Sequence, residues 1–335
     1  MSGIVEIAEK AGVSPATVSR ALRGMHHVNE RTRKKIIEAA QILEYPIRPD
    51  LLPRSASVRT NTIGVIAPYL SRWYFSQAIA GVEQALREAG MDLLLYNFAQ
   101  VDSRQRVFQH KNLVGKVDGL IVISLPPTEK EFEQILGLGI PVALLGVPDK
   151  RCSSVSIDDV KGAEGAAQHL IDMGHRDIAI LSGMEERAFN FKVASQRKEG
   201  FFNVLKRNNI EFNPVHELYS DFDSHTAELA MDEFLRRKKL PTAIFCESDE
   251  MAFGVMKSLR KRGMSFPDDI SVVGYDDHEF SEVIGLTTVA QPVQFLGQLA
   301  ASQIMAKIAK PESSVGQMQV PTNLIVRSSV NNLNQ

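Results

Sequence analysis

The 335-residue chain is long enough for two or three domains, and its 44% hydrophobic and 23% charged residues are typical of a globular protein. Residues 1–60 carry ten Lys/Arg against six Asp/Glu, a net charge of +4, whereas the rest carries 28 against 34, a net charge of -6. No apolar run long enough to span a membrane and no export leader is present in the sequence, so we expect a cytoplasmic protein. The basic head is expected to contact phosphate and the acidic body another partner.

Residues 1–45 predict three short helices. The apolar positions of the first recur at i, i+3, i+4 and i+7, and they are Ile4, Ile7, Ala8 and Ala11. This helix is expected to end near Gly12, and Ser14 and Pro15 suit the N-cap and first position of the second helix. Asn29 is the expected N-cap of the third helix. Two short helices joined by a tight turn and closed by a third are typical of a helix-turn-helix unit.

Such a unit places the N-terminal residues of its second helix on base edges in the major groove. The residues predicted to contact DNA are Ser14, Pro15, Ala16, Thr17, Ser19, Arg20 and Arg23. Arg20 can form two hydrogen bonds with guanine, and Ala16 can contact a thymine methyl group. Thr17 and Ser19 can donate to phosphate. A small helical subdomain also needs caps and a charged exterior, so this pattern alone leaves a purely structural role open.

Residues 46–60 are rich in Pro, Ser and Arg and lack an amphipathic period, which predicts a linker. From Thr62 onward, short β-branched runs alternate with helical stretches, as in parallel sheets crossed by helices. The two sets of runs predict two doubly wound lobes, at about 61–157 with 288–318 and at about 158–287 with 319–330. Because ligands bind beyond the carboxyl ends of such strands, the lobes predict a cleft between them.

The sequence lacks the spacings of common catalytic sites. In HEFSE, Glu282 stands where a zinc-binding H-E-x-x-H motif needs its second His, and neither G-x-S-x-G nor a complete P-loop is present. His175 lies at a predicted turn from helix to strand, where we expect a structural role. Cys152 and Cys246 are far apart, which predicts buried packing without a disulfide or metal site. We therefore predict no enzyme activity, no metal and no cofactor.

Several segments resemble, in order, motifs of the LacI/GalR family of transcriptional regulators. They are IVEIAEKAGVSPATVSRAL, VNERTRKKIIEAAQILEY, TIGVIAP, GHRDIAIL, PTAIFCESDEMAFG and DDISVVGYDD. The resemblance covers nearly the whole chain. It implies a small all-α helix-turn-helix head (1–45), a hinge (46–60), and an α/β body (61–335) of two doubly wound parallel-sheet lobes like those of periplasmic binding proteins. It also implies a repressor that binds a pseudo-palindromic DNA operator as a homodimer, under control of a small polar, sugar-like effector.

In the family, the hinge forms a helix when two copies pair on DNA, and a leucine from each enters a minor-groove base step. The resemblance therefore implies that Leu51 and Leu52 contact DNA. Pro53 falls inside the expected hinge helix, and the segment is one residue longer than the family pattern. A plain tether remains the alternative.

The resemblance also implies an effector site. Arg197 and Asp276 match family residues that bind effector oxygens and hydroxyls, and we expect both to be hydrated when the ligand is absent. Phe222 matches an aromatic stacking position. Asp249 matches an effector residue too, although Ser248 replaces the Asn that usually precedes it.

Two further stretches are expected to face the same cleft from the first lobe. Ser124 ends GLIVIS, and the aromatic residues Trp73, Tyr74 and Phe75 follow PYLS. Core packing is the alternative for Trp73 and Phe75. Gly146 stands where relatives commonly carry an Asp that holds a sugar, so we expect a less hydroxylated ligand or a water in the gap. A solute-binding protein with the same two lobes is the rival interpretation, although its export signal is missing and it would not need the basic head.

Overall fold

The chain forms a helical head and a body with two six-stranded sheets. The structure is a computed structural model, and it describes residues 3–23, 25, 28–43, 45, 47, 59–97, 104, 113, 115–184, 191–237 and 239–334. Leu51 and Leu52 lie outside the described residues, so their minor-groove contact stays a prediction.

The head contains the three predicted helices. They are α1 (Ile4–Ala11), α2 (Pro15–Leu22) and α3 (Glu30–Ile42). Gly12 ends α1 with a φ of 67°, a left-handed conformation that glycine adopts without strain. Both predicted N-caps are confirmed, because Ser14 Oγ accepts from the Thr17 N–H at 3.2 Å and Asn29 Oδ1 accepts from the Thr32 N–H at 2.8 Å. The inner helix faces share one apolar core.

The first sheet of the body has the strand order β11-β5-β4-β3-β1-β2, and its pairings are parallel. Its strands are β1 (Thr62–Ala67), β2 (Asp92–Asn97), β3 (Gly119–Ile123), β4 (Val142–Leu145), β5 (Ser153–Ser156) and β11 (Gln317–Gln319). The helices that pack on it include α4 (Trp73–Glu88), α5 (Glu129–Leu136) and α11 (Val293–Ala309). Apolar clusters cover both faces of this sheet, which explains why its central strands are almost continuously apolar.

The second sheet has the order β12-β10-β9-β8-β6-β7. Its strands are β6 (Ile178–Gly183), β7 (Glu217–Ser220), β8 (Ala243–Cys246), β9 (Ser271–Asp276), β10 (Thr287–Ala290) and β12 (Asn323–Ile325). The helices around it are α6 (Asp159–Asp172), α7 (Val193–Arg207), α8 (Ser224–Phe234), α9 (Asp249–Lys261) and α10 (Glu279–Val283). The pairings are parallel except that β12 runs antiparallel to β10.

The chain passes between the two sheets after β5, after β10 and after β11. The second passage differs from the predicted boundary at 287. Because Thr287 pairs with Val273 and Ala290 with Asp276, all of β10 belongs to the second sheet. The third passage follows Gln319, one residue beyond the predicted boundary. Across the described part of the chain, no helix combines the length and apolarity needed to cross a bilayer.

Helices α4 and α11 pack with their backbones in close approach. A Cβ atom on Gly81 would lie 2.0 Å from the carbonyl oxygen of Gln294, and a Cβ on Gly297 would lie 2.3 Å from that of Ala78. Neither of these carbonyl oxygens can move away without a shift of its helix backbone. The absence of side chains at these two positions therefore sets the distance between the helices.

We expect Gly81→Ala to lower the free energy of unfolding by about 1–3 kcal/mol, because the added methyl group forces α4 and α11 apart. Gly165→Ala on α6 is the matched control, since no atom lies within 4 Å of the new Cβ. This control should raise stability by about 0.4–1 kcal/mol. Urea denaturation measures both variants, and equal stability of the two would contradict the packing described here.

Candidate functional site

The head presents one face of α2 to solvent. Ser14, Pro15, Ala16, Arg20 and Arg23 are exposed, Thr17 and Ser19 are half-buried, and Val18 and Ala21 are buried. Neither Arg20 nor Arg23 forms an ion pair with any residue that the structure describes. The predicted DNA-contact residues of the head thus share a surface whose guanidinium groups are available to a partner.

Arg33 on α3 positions the end of α2, a role that the sequence pattern did not indicate. Its Nη1 donates to the Ala21 carbonyl at 3.0 Å, and its Nη2 donates to the Met25 carbonyl at 2.6 Å. The last carbonyls of a helix lack partners within the helix and attract a cation. Arg33 therefore holds α2 by its carboxyl end and leaves the amino end free.

A cavity of about 230 Å³ lies in the body where the carboxyl ends of the two sheets meet. Five of the seven predicted effector residues line it, namely Phe75, Ser124, Arg197, Phe222 and Asp276. The first lobe contributes a largely apolar wall that includes Pro126, Val147 and Leu296. The charged groups are concentrated on the second lobe. This combination of apolar walls with a few convergent polar groups is typical of small-molecule sites.

Arg197 is held by its own lobe. Its side chain is only 5% exposed, and its Nε donates to Asp159 Oδ1 at 2.9 Å. Its Nη1 donates to the Glu247 carbonyl and lies 3.8 Å from Asp276 Oδ1, while its guanidinium carbon lies 3.6 Å from the centre of the Tyr275 ring. The expectation that Arg197 is hydrated without ligand is therefore wrong, because a buried guanidinium needs partners from the protein.

The buried cluster perturbs the ionisation of its members. Burial lowers the pKa of Arg197, but attraction to Asp159, Tyr275 and Asp276 outweighs this effect, so the pKa is raised and the group stays charged. Burial raises the pKa of Asp276 well above its usual range, with partial compensation from Arg197. Gln291 Nε2 donates to Asp276 Oδ1 at 2.5 Å. Asp276 is thus also buried and hydrogen-bonded, contrary to the expected hydration.

The first-lobe wall explains why a glycine stands at position 146. Gly146 has a φ of 82°, and a Cβ there would lie 2.6 Å from Ser124 Oγ. Ser124 Oγ donates to Tyr74 Oη at 3.1 Å, and burial raises the pKa of Tyr74 to about 12. These two hydroxyl groups occupy the space that a side chain at position 146 would need. They can both donate and accept hydrogen bonds at neutral pH.

Asp249 does not line the cavity, which corrects its predicted position. Its Oδ2 accepts from the His278 N–H at 2.9 Å and from Ser281 Oγ at 2.6 Å, and its Oδ1 accepts from Thr288 Oγ1 at 2.6 Å. These bonds turn the carboxylate toward β10 and toward the segment that follows β9. Its neighbours in the chain, Ser248 and Glu250, line the cavity instead.

Trp73 also lies off the cavity wall, so its predicted position is corrected too. Its Nε1 donates to Glu279 Oε2 at 2.5 Å, and its ring centre lies 5.1 Å from that of His278. Trp73 begins α4 in the first lobe, whereas Glu279 begins α10 in the second. The indole therefore bridges the lobes beside the cleft, and it also packs against the apolar core of the first lobe, which was the alternative to effector binding.

Sequence reasoning missed several polar residues of the cavity, which are Arg72, Asp159, Lys192, Gln196, Glu250 and Gln291. Gln291 directly follows β10 and Asp159 lies three residues after the end of β5, so the rule that ligands bind at strand ends could have identified them. The others lie at the N-caps or in the first turns of helices, without a motif. No group of three or more potential metal ligands occurs among the residues with described positions.

We expect Arg197→Ala to lower the free energy of unfolding of the unliganded protein by about 3–5 kcal/mol, because it leaves Asp159 and Asp276 buried without their cation. Arg207→Ala is the control on the same helix, where the side chain is exposed, and it should change stability by less than about 0.5 kcal/mol. Urea denaturation without ligand measures both. An Arg197→Ala protein as stable as the control would show that the cluster is not a structural unit.

Comparisons with known proteins match both parts of the chain. Residues 3–46 match the family model for bacterial regulatory proteins of the lacI family, and residues 167–330 match a periplasmic binding protein-like domain. The chain is 33% identical to a probable HTH-type transcriptional repressor ExuR of Bacillus subtilis, over 99% of each chain. It is also 33% identical to the HTH-type transcriptional repressor PurR of Vibrio campbellii, over 100% of each chain.

Solved structures agree with these matches. The structure resembles the complex of the transcriptional regulator CelR with cellobiose, with a TM-score of 0.72 and 28% identity over 98% of this chain and 100% of that one. It resembles a lac repressor dimer bound to operator and the anti-inducer ONPF, with a TM-score of 0.71 and 27% identity over 98% and 99%. It also resembles a LacI family regulator from Enterococcus faecium with bound ribose, with a TM-score of 0.71 and 28% identity over 81% and 99%. The chain belongs to the LacI family of bacterial regulatory proteins.

Proposed function

We propose that this protein is a ligand-controlled transcriptional repressor that binds a pseudo-palindromic operator as a homodimer. The observation that carries the proposal is the coexistence of two surfaces in one LacI family chain. The head has an exposed α2 on which Arg20 and Arg23 form no ion pair with a described residue, and the body has a cavity with a preformed Arg197 cluster. Two heads in a dimer match two half-sites of one operator.

The proposed division of the chain is a head at 1–45, a hinge at 46–60 and a body from residue 61 onward. In this scheme, α2 enters the major groove, and Leu51 and Leu52 of the hinge contact the minor groove. Arg20 is assigned to a guanine edge because its guanidinium is exposed on the face of α2 opposite the buried Val18.

The proposed effector is a small, polar, sugar-like molecule. The second-lobe wall offers the Arg197 guanidinium and the Asp276 carboxyl, and the first lobe offers the hydroxyls of Tyr74 and Ser124. This arrangement provides donors and acceptors on both sides of a ligand, with Phe222 as an apolar face for stacking. Similar proteins carry cellobiose and ribose in their structures, which supports the same ligand class here.

In this proposal, the ligand controls operator binding by changing how the two lobes are arranged relative to each other. Glu250 lines the cavity, burial raises its pKa, and both the backbone N–H of Trp73 and the charge of Arg72 oppose that rise. Trp73 and Arg72 belong to the first lobe, so a ligand beside Glu250 acts on a contact between lobes. A ligand that binds one lobe arrangement more tightly shifts the population toward it. Both inducer and corepressor action are compatible with this scheme.

We infer that the cleft is not catalytic. Asp276 and Arg197, whose pKa values are shifted, are already hydrogen-bonded within the protein, Asp276 to Gln291 and Arg197 to Asp159. Similar proteins are transcriptional regulators. A solute-binding protein is the alternative with the same two lobes, but it would not need the α2 surface of the head. Because its proposed target is operator DNA, we place the protein in the cytoplasm.

We expect Arg20→Ala to weaken operator binding by about 5-fold to 150-fold, because a lost bidentate base contact is worth about 1–3 kcal/mol. The test is a mobility-shift assay with the upstream region of the protein's own gene. Arg87→Ala is the matched control, since Arg87 is exposed on α4, away from the head, and pairs with Glu83. Operator affinity that is equal in the two variants would reject the assignment of α2, and no shift with the wild-type chain would reject the repressor function.

We expect Asp276→Asn to lower effector affinity by about 5-fold to 150-fold, because the amide replaces an oxygen that accepts hydrogen bonds, and an unmatched buried polar group costs about 1–3 kcal/mol. Calorimetry with ribose, cellobiose and simple polyols identifies the best ligand and then compares the variants. Asp268→Asn, at an exposed position of the same lobe, should bind as the wild type does. Wild-type affinity in Asp276→Asn would remove this carboxyl from the effector site.

A further inference from the structure

Glu247 directly follows β8 and is 0% exposed, although it does not line the cavity. Its neighbour in the chain, Ser248, does line the cavity. Burial of a carboxyl is costly unless the protein bonds it. One oxygen of Glu247, Oε1, has no hydrogen-bond partner among the described residues. The bond that accounts for this buried carboxyl is therefore made by the other oxygen, Oε2.

The Glu247 side chain completes the ladder between β6 and β8. Leu181 pairs with Cys246 in the parallel register, and the Glu247 N–H donates to the Leu181 carbonyl at 3.1 Å. In a regular parallel ladder, the next bond would run from the Gly183 N–H to the Glu247 carbonyl. The Gly183 N–H donates instead to Glu247 Oε2, at 2.8 Å. The side chain of Glu247 thus takes the N–H that its own main-chain carbonyl would otherwise accept.

The main-chain carbonyl of Glu247 bonds Arg197 of the cavity. Arg197 Nη1 donates to this carbonyl, while Arg197 Nε donates to Asp159 Oδ1 at 2.9 Å. The two acceptors belong to different elements, because Asp159 begins α6 and Glu247 follows β8. Together they fix the plane of the guanidinium, whose carbon lies 3.6 Å from the centre of the Tyr275 ring. The orientation of this buried cation therefore depends on a carbonyl that the Glu247 side chain keeps available.

The Glu247 carboxyl accepts the N–H as a neutral group. Burial raises its pKa to about 8, although hydrogen bonding and the charges of Arg197 and Lys198 act in the opposite direction. The carboxyl is therefore protonated at neutral pH. Lys198 does not neutralise it, since this lysine pairs with Glu217. Glutamine offers the same uncharged carbonyl oxygen and is the conservative replacement, whereas alanine removes the acceptor.

We propose that Glu247 is a positioning residue of the effector site, whose side chain engages the Gly183 N–H so that its main-chain carbonyl can orient Arg197 for the ligand. The proposal rests on the proposed function only in that Arg197 binds an effector. Without the carboxyl, the buried Gly183 N–H needs another acceptor, and the carbonyl at position 247 is the one in register. Arg197 Nη1 then loses its partner to the sheet.

The first test needs no ligand and uses the full chain. NMR spectra of isotope-labelled arginine side chains report the rotation of each guanidinium group, and Arg197→Lys identifies the signals of Arg197 by their loss. In Glu247→Ala, this rotation should be faster than in the wild type by about tenfold, the effect of one lost hydrogen bond of about 1.4 kcal/mol. The remaining bond to Asp159 holds only Nε. Glu247→Gln should keep the wild-type rate.

Ser182→Ala is the matched control for this test. Ser182 is buried on β6 and close enough to lower the pKa of Glu247, but its hydroxyl has no hydrogen-bond partner among the described residues. Its removal should leave the rotation of Arg197 unchanged. A wild-type rate in Glu247→Ala would overturn the proposal, as would equal acceleration in Ser182→Ala or in Glu247→Gln. Glu247→Met keeps a long side chain without a carboxyl oxygen and provides the same comparison if the alanine variant does not fold.

The second test is calorimetry with ribose, and with cellobiose as a second probe. The Kd should rise about tenfold in Glu247→Ala, again as for one hydrogen bond, and should stay at the wild-type value in Glu247→Gln. In the Arg197→Lys background, Glu247→Ala should not raise the Kd further, because Glu247 acts through the arginine. An unchanged Kd in Glu247→Ala, or additive losses in the double variant, would contradict the proposal.

The two tests separate this proposal from the proposed function. If the rotation of Arg197 responds as expected but neither sugar binds and operator affinity responds to neither, the proposed effector control is rejected and the positioning of Arg197 by Glu247 stands. If the sugars bind the wild type but the rotation of Arg197 is the same in all variants, the proposed function stands and the role of Glu247 is rejected.

Discussion

The three passages of the chain between two sheets are the constraint on which the site depends. Because β5, β10 and β11 each end where the chain changes lobes, the carboxyl ends of both sheets border one cavity. Ile157, Asp159 and Gln291 stand at or next to these passages and line the cavity. The proposed ligand-binding residues and the passages between the lobes are thus neighbours in the chain. Residues of both lobes line this cavity, so a ligand that fills it contacts both lobes at once.

The polarity of the cleft is divided between the lobes for a physical reason. Arg197 is almost fully buried, and a buried charge is tolerated only with partners, so Asp159 and Asp276 come from the same lobe as the arginine. The second-lobe wall is consequently preformed, and a ligand needs to order little of it. The first-lobe wall is mostly apolar, with Ser124 and Tyr74 paired across the space that Gly146 leaves open. The two walls therefore offer a ligand different chemistry.

Beside the cavity, the lobes also contact each other directly. Trp73 at the start of α4 donates to Glu279 at the start of α10, and the ring of Trp73 packs near His278. His278 in turn donates its N–H to Asp249, whose carboxylate is fully bonded within the second lobe. The hydrogen bonds of Asp249 thus fix the segment that contacts Trp73. This explains how a residue at an effector position of the family pattern serves the lobe interface here.

The sequence by itself determined the local structure and the edge of each sheet at which the site lies. The caps at Ser14 and Asn29, the left-handed Gly12 and the apolar strands depend on interactions within a few residues, so their patterns identify them. Arg197, Phe222 and Asp276 line the cavity as expected from the family motifs, and Ser124 does so because it follows a buried strand.

Only the tertiary structure decided which side chains at that edge point into the cavity. Asp249 and Glu250 are adjacent carboxylates, and the bonds that turn Asp249 away come from Ser281 and Thr288, more than 30 residues later. Trp73 likewise takes its direction from Glu279 in the other lobe. Side-chain direction at a strand end depends on partners that are distant in sequence, and those contacts cannot be predicted from residue spacing or composition.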